Sequence, residues 1–193
     1  MSTTTLSLDE LHQLISKILT AHDTSPGVAK QVASALVAAE ADSQKGHGAS
    51  RVPSYSAQAK SGKVKGHATP ELIELSDNAA IVDACDGFAY PALALAQRTL
   101  IDMLAKVPVA AISIRNSHHS GVVGHHVEPL ARAGFVAMSV GNGPHAIAPW
   151  GGNRALFGTN PIGFAAPRES EPPLIIDMSL SKVARGKVNV AAQ

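Results

Sequence analysis

The chain has 193 residues, 45% of them apolar and 16% charged, with a formal net charge of +1. That length suffices for one or two small domains with real cores, and the composition is globular rather than disordered. Near-neutral charge and 4% aromatic content exclude the broad basic field and base-stacking surface of a nucleic-acid binder.

A single cysteine, Cys85, cannot form an internal disulfide. The opening MSTTTLSLDE lacks the basic-then-apolar order of a signal peptide. No apolar run approaches the roughly 20 residues that span a bilayer. The expectation is a cytoplasmic protein with neither nucleic acid nor membrane as partner.

Ser7-Leu8-Asp9-Glu10 has the serine-to-glutamate spacing of a capping box, which satisfies the unbonded amides of a helix start. Leu11, Leu14, Ile15, Ile18 and Leu19 then recur at three- and four-residue spacing, on one helical face. Ser25-Pro26 predicts a second start, with serine as cap and proline in the first turn. Val28, Val32, Leu36 and Ala39 supply its stripe and Gly46 its expected stop, so the opening reads as a helical hairpin. Residues 46–70, rich in Gly, Ser, Lys and Pro, read as loop around a short helix near Tyr55.

Strand candidates follow at 80–84, 107–114, 135–140, 162–166 and 174–176, with helices predicted over 91–105 and 124–133. The run at 107–114 is expected to be a buried strand, and Pro129 to mark a kink or a new first turn. Alternating strands and helices suggest a parallel doubly wound sheet. The strands after Phe135 leave little room for crossover helices, so an α+β sheet with antiparallel pairing fits that half better.

Three stretches carry side chains suited to chemistry. The segment from Arg115 to Gly124 (RNSHHSGVVG) follows a strand and precedes a helix. Its small residues would let backbone approach an anion such as a dinucleotide pyrophosphate at the positive end of the helix dipole. With GxxG in place of GxGxxG, the same run also reads as a plain tight turn. Of nine histidines, five (His118, His119, His125, His126 and His145) fall between 118 and 145, and imidazole is the side chain best poised to move a proton at neutral pH. No carboxylate or thiolate joins them at a recognised metal-ligand spacing, so no metal is expected. In His47-Gly48-Ala49-Ser50-Arg51, a continued helix would place imidazole and guanidinium on one face. Arg51 would then grip a carboxylate bidentately while His47 serves the neighbouring carbon's oxygen or nitrogen; otherwise the stretch is a solvated basic loop. Gly141-Asn142-Gly143-Pro144 and Gly158-Thr159-Asn160-Pro161 are turn-rich loops at strand ends, where ligands commonly bind.

In order, His47-Gly48 with Arg51, Pro53 and Tyr55, then NSHHSG at 116–121, APWGG at 148–152, FGTNPIGFAAP at 157–167 and IDMSLSKVARGK at 176–187 resemble the type 2 malate/L-lactate dehydrogenase family. That family includes sulfolactate and ureidoglycolate dehydrogenases and reductases of cyclic imino acids. The resemblance implies an α+β fold that is not a standard Rossmann domain. A helical subdomain over 1–70 would precede a mixed α/β nucleotide-binding domain over 71–193, incomplete at its C-terminal end. It also implies hydride transfer between NAD or NADP and a small 2-hydroxy or 2-oxo acid, or a cyclic imino acid as the alternative substrate, in a homodimer.

By motif position, His47 and His119 are the acid/base candidates, and Arg51 and Thr159 the substrate contacts. Ser120, Gly121, Val122, Val123, Gly124, Asn142, Asp177, Met178 and Ser179 are the cofactor contacts. Two positions depart from the family pattern: Gly46 stands where a serine usually precedes the His-Gly pair, and Ser120 where an aromatic residue often follows the two histidines. The family pattern also continues past position 193, so the chain is expected to be an N-terminal part, with a separate chain carrying the remainder as one arrangement. Two rival readings are a non-catalytic fragment or interaction subunit and a metal-dependent hydrolase built on the histidines.

Overall fold

The computed structural model describes residues 5–181. The chain divides into two compact units, Met1–Gly121 and Val122–Gln193.

The first unit opens with α1 (Leu8–Thr20) and α2 (Pro26–Ala41). The capping box forms as read: Ser7 Oγ accepts from the Glu10 amide, and the Glu10 carboxylate accepts from the Ser7 amide. Ser25 caps α2 with Pro26 in its first turn. The helix stops at Ala41, before the expected Gly46. Ser43 takes the left-handed conformation (φ 59), its amide donates to Glu40 O and that of Gln44 to Ala39 O, which closes the helix without a glycine.

A short helix, α3 (Val52–Lys60), surrounds Tyr55 as anticipated. Ile15, Leu19, Val32, Leu36, Val52 and Tyr55 form one buried core, which Phe88 and Tyr90 join from further along the chain. β1 (Glu71–Ser76) and β2 (Ala79–Asp83) pair antiparallel. After α4 (Ala89–Leu104), β3 (Ala111–Arg115) pairs parallel to β2. The sequence pattern shows no strand at β1, whose six residues are all exposed. β3 begins only after Pro108, and its residues alternate between exposed and half-buried, so the expectation of a buried strand over 107–114 is corrected. The boundary drawn at residue 70 marks a change of secondary structure. The compact division lies at Gly121, because Phe88 and Tyr90 belong to the helical core.

The second unit contains α5 (Gly124–Arg132), with Pro129 inside it, and an antiparallel sheet of β4 (Ala137–Val140), β5 (Ile162–Ala166) and β6 (Leu174–Met178) in that order. The fold is therefore α+β: one sheet mixed, the other wholly antiparallel. The register gives the second sheet two unlike faces. Ala137, Ala165, Ser139, Gly163 and Asp177 share the face under α5, where small residues permit close approach; a Cβ on Gly163 would stand 2.5 Å from Val123 Cγ1. Met138, Val140, Ile162, Phe164, Leu174, Ile176 and Met178 form the other, which is apolar and poorly covered: Val140 is 69% and Met138 67% exposed. No helix among the described residues is long and apolar enough to cross a membrane.

The two faces predict opposite mutational responses. Ala165→Asp, at a fully buried position, should lower unfolding free energy by about 3 kcal/mol or more, because the carboxylate would be buried without a partner. Val140→Asp, three register positions along the sheet and on its other face, should cost less than about 1 kcal/mol. Chemical denaturation of both variants checks this, and equal losses would mean that the second face is covered in the folded chain.

Candidate active site

The segment carrying His47 and Arg51 is built on α2. Instead of one helix, the chain makes two 3-10 turns, Lys45–His47 and Ala49–Arg51, separated by Gly48 at φ −95, ψ −138. The premise of an i, i+4 helical face is thus corrected. Glu40 organises the break: its carboxylate accepts the Ala49 amide at 2.7 Å. Gly48 is buried directly against that carboxylate, and any Cβ there would overlap Glu40 Oε1. Arg51 Nε donates to Gly46 O at 2.6 Å, which anchors the base of the guanidinium. Among the described residues Arg51 forms no salt bridge, so its charge is not neutralised by a neighbouring carboxylate.

The histidine loop is fixed from below by β2 and β3. Asp83 accepts from the Cys85 amide (2.8 Å), the Asn116 side-chain amide (3.0 Å) and Arg115 Nε (2.8 Å). The Cys85 amide, then Asn116 and Arg115, hold its carboxyl below the usual range. These bonds stabilise a turn in which Cys85, Asp86 and Asn116 all have positive φ. The His118 amide then donates to Gly87 O, and His118 Nε2 meets Gln58 Oε1 at 3.3 Å. His118 packs edge-on against Tyr55 and Phe88. Burial, with the nearby Lys63 and Arg51 charges, pushes its pKa down to about 4, so it is a neutral packing residue at pH 7.

His119 turns the other way and is exposed. Its ring lies parallel to that of His47, with centroids 5.7 Å apart and 13° between planes. Its Nδ1 lies 2.7 Å from the Tyr55 hydroxyl. Tyr55 Oη is in turn 3.5 Å from Tyr90 Oη, and both phenols are buried. Desolvation raises the pKa of each, against the lowering influence of the Arg51 charge. The first unit thus gathers His47, Arg51 and His119, three residues named from the sequence, around two tyrosines that sequence reasoning did not assign a role. Tyr55 lies within a motif of the family resemblance; Tyr90 carries no signal beyond being aromatic at a helix start.

The remaining candidates divide at the unit boundary. Ser120 and Gly121 lie with His119. Gly121 has φ 74, and its amide donates to His119 Nδ1 at 3.3 Å. In the second unit, the Gly124 amide at the start of α5 donates to Asp177 Oδ2 at 2.8 Å. The anion at this helix terminus is therefore the chain's own carboxylate, a favourable placement against the helix dipole. Val123 is buried over Gly163, and Val122 is half-buried. Ser179 Oγ and the Leu180 amide both donate to Thr159 O, at 2.9 and 3.0 Å, joining two motifs 20 residues apart. Asn160 Oδ1 accepts the Gly143 amide at 3.2 Å, and Thr159 Oγ1 lies beside Gly143. Asn142 and Met178 are exposed. Among the described residues no three His, Cys, Asp or Glu side chains gather as a metal site. The stretch beyond Ser181 of the ARGK motif lies outside the described residues.

The first unit thus holds a guanidinium without a carboxylate partner among the described residues, in the same unit as two parallel imidazoles.

Residues 6–193 match the malate/L-lactate dehydrogenase family, and the chain belongs to that family. It is 47% identical over 186 residues to (2R)-3-sulfolactate dehydrogenase (NADP(+)) of Chromohalobacter salexigens, covering 96% of this chain and 56% of that protein. It is 31% identical to malate dehydrogenase of Pyrococcus abyssi, with 94% of this chain and 50% of that protein covered. The crystal structure of delta1-piperideine-2-carboxylate reductase from Pseudomonas syringae pv. tomato superposes with a TM-score of 0.92 at 41% identity, over 98% of this chain and 57% of that one. The chain thus spans about half the length of the relatives it matches.

Two outcomes test this geometry. Because the folded state holds His118 with a pKa of about 4 and the unfolded chain protonates it near the ordinary 6.5, stability is intact above the higher value. It falls as pH drops through the window between them, by on the order of 2 kcal/mol after allowing for partial exposure. His118→Gln should flatten that part of the profile in thermal melts against pH; an unchanged slope would refute the buried neutral imidazole. Gly48→Ala should cost about 1–3 kcal/mol by overpacking but much less in a Glu40→Ala background, a coupling above about 1 kcal/mol in a double-mutant cycle.

Proposed function

We propose that this protein is an NAD- or NADP-dependent oxidoreductase that interconverts a small 2-hydroxy acid and its 2-oxo acid, or reduces the corresponding cyclic imino acid. The observation that carries the reading is the cluster of His47, His119 and Arg51 in one unit, in a chain of the malate/L-lactate dehydrogenase family. Its relatives bear the names of sulfolactate dehydrogenase, piperideine-2-carboxylate reductase and malate dehydrogenase. Those substrates share a carboxylate next to the carbon that changes oxidation state.

Arg51 would bind the carboxylate, two planar N–H groups against two oxygens. His47 and His119 would serve the oxygen or imine nitrogen on the neighbouring carbon, supplying its proton on reduction and taking it on oxidation. Orientation by Arg51 can contribute on the order of 7–11 kcal/mol at best. The nicotinamide cofactor, when bound, supplies or accepts the hydride. Ser120, Val122, Asn142, Met178 and Ser179 are its proposed contacts, and Thr159 lines the substrate side. The amides of Gly121 and Gly124 already serve His119 and Asp177. These glycines, with Val123 and Asp177, are proposed to shape the loop rather than to grip a pyrophosphate by amide donation. A homodimer, or assembly with a chain carrying the rest of the family fold, is part of the same proposal.

Titration with NADH and NADPH by fluorescence should show binding of at least one. A panel of 2-oxo acids and cyclic imines, followed by nicotinamide absorbance, should then identify the substrate. Arg51→Lys should raise KM at least roughly tenfold, because an ammonium cannot reproduce the planar fork. Absence of affinity for either coenzyme would overturn the proposed activity, and an unchanged KM would remove Arg51 from the substrate site.

A further inference from the structure

His119 Nδ1 is approached by two groups, the Tyr55 hydroxyl at 2.7 Å and the Gly121 amide at 3.3 Å. A main-chain N–H can only donate, so Nδ1 accepts. The single proton of the neutral ring then sits on Nε2, and the Tyr55 O–H is the second donor to Nδ1. Tyr55 can play this part only as a phenol, and its burial among α2, α3 and Phe88 residues keeps it one. Its oxygen has Tyr90 Oη behind it at 3.5 Å. The arrangement leaves no slack: a Cβ on Gly121 would stand 2.7 Å from Tyr90 Oη.

We propose that Tyr55, backed by Tyr90, is a positioning residue that holds His119 as a fixed Nε2–H donor, so that His119 polarises the reacting oxygen or nitrogen while His47 exchanges the proton. This rests on the oxidoreductase reading and assigns different work to the two stacked imidazoles. A ring whose lone pair at Nδ1 is committed to two donors has none at Nε2 with which to take a proton from a hydroxyl. In reduction, hydride adds to the carbon, the former π electrons go to oxygen or nitrogen, and that atom takes a proton from the His47 imidazolium, leaving neutral imidazole. His119 keeps its Nε2 proton throughout, donating a hydrogen bond to the developing negative charge. Oxidation is the reverse, with neutral His47 as the base. Groups near the pair include Arg51, Tyr55, Tyr90 and His118. Of these, His118 is neutral at pH 7 and the phenols stay protonated, so Arg51 is the one fixed charge of the four.

Long-range proton–nitrogen NMR on protein labelled in the histidine rings reads the tautomer directly, whatever the activity. The expected spectrum places the His119 proton on Nε2. Tyr55→Phe, which removes one oxygen and leaves the ring in the core, should raise the Nδ1–H population. Tyr90→Phe should shift it far less, and doubles as the control for loss of a core hydroxyl. In turnover, Tyr55→Phe should lower kcat by roughly tenfold or more with coenzyme affinity unchanged; where a lost partner leaves the wrong tautomer, losses reach about 10⁴-fold. A wild-type proton on Nδ1, or a Tyr55→Phe spectrum and kcat like wild type, overturns the proposal. Failure to bind coenzyme would instead overturn the oxidoreductase reading, and the NMR result would stand apart from it.

Discussion

A buried phenol must find a partner for its hydroxyl, and in this protein the Tyr55 hydroxyl finds it at the edge of the core, on the ring of His119. The helical hairpin, α3 and Phe88 close around the tyrosine ring; the oxygen emerges where the histidine loop crosses. One side chain therefore belongs both to the core and to the site. Packing that orders Tyr55 also orders His119, and through the parallel rings it sets the separation from His47. A site supported in this way does not depend on the loop's own stiffness. That matters because the loop begins in residues of positive φ held by Asp83.

The opposite wall is held by a similar device. Glu40 projects from the last turn of α2 and bonds the Ala49 amide, while the missing side chain of Gly48 gives the carboxylate room. The left-handed Ser43 ends the helix early enough for two tight turns to follow. In the second unit, Asp177 bonds the first amide of α5 and Ser179 bonds Thr159 O. In each case a polar side chain satisfies the backbone of a segment distant along the chain, so stretches that look independent are hydrogen-bonded together within each unit.

Much of the fold is local in origin and legible for that reason. The capping box, the Ser25-Pro26 start and the three- and four-residue stripes state their helices outright. β5 is read to the residue, and the shortage of crossover length after Phe135 correctly signals antiparallel pairing. β1 escaped because Glu71 and Glu74 interrupt its apolar residues and every position is exposed, leaving no alternation to read. Val, Ala and Ile crowd β3 and predict burial, yet it is partly open. Hydrophobic content reports what a strand could bury, whereas burial depends on what else is folded over it.

The sequence by itself determined which residues carry reactive groups: His47, Arg51 and His119 are visible as types in unusual settings, and the ordered motifs tie them together. Only the tertiary structure decided what surrounds them. Tyr55 and His119 are separated by 64 positions, and Gly124 and Asp177 by 53. No spacing rule connects residues that far apart, because hydrogen bonds between them exist only once helices and sheets have packed. The same holds for the ring proton of His119. Its proposed location rests on the two groups that approach Nδ1, an arrangement that no one-dimensional pattern contains.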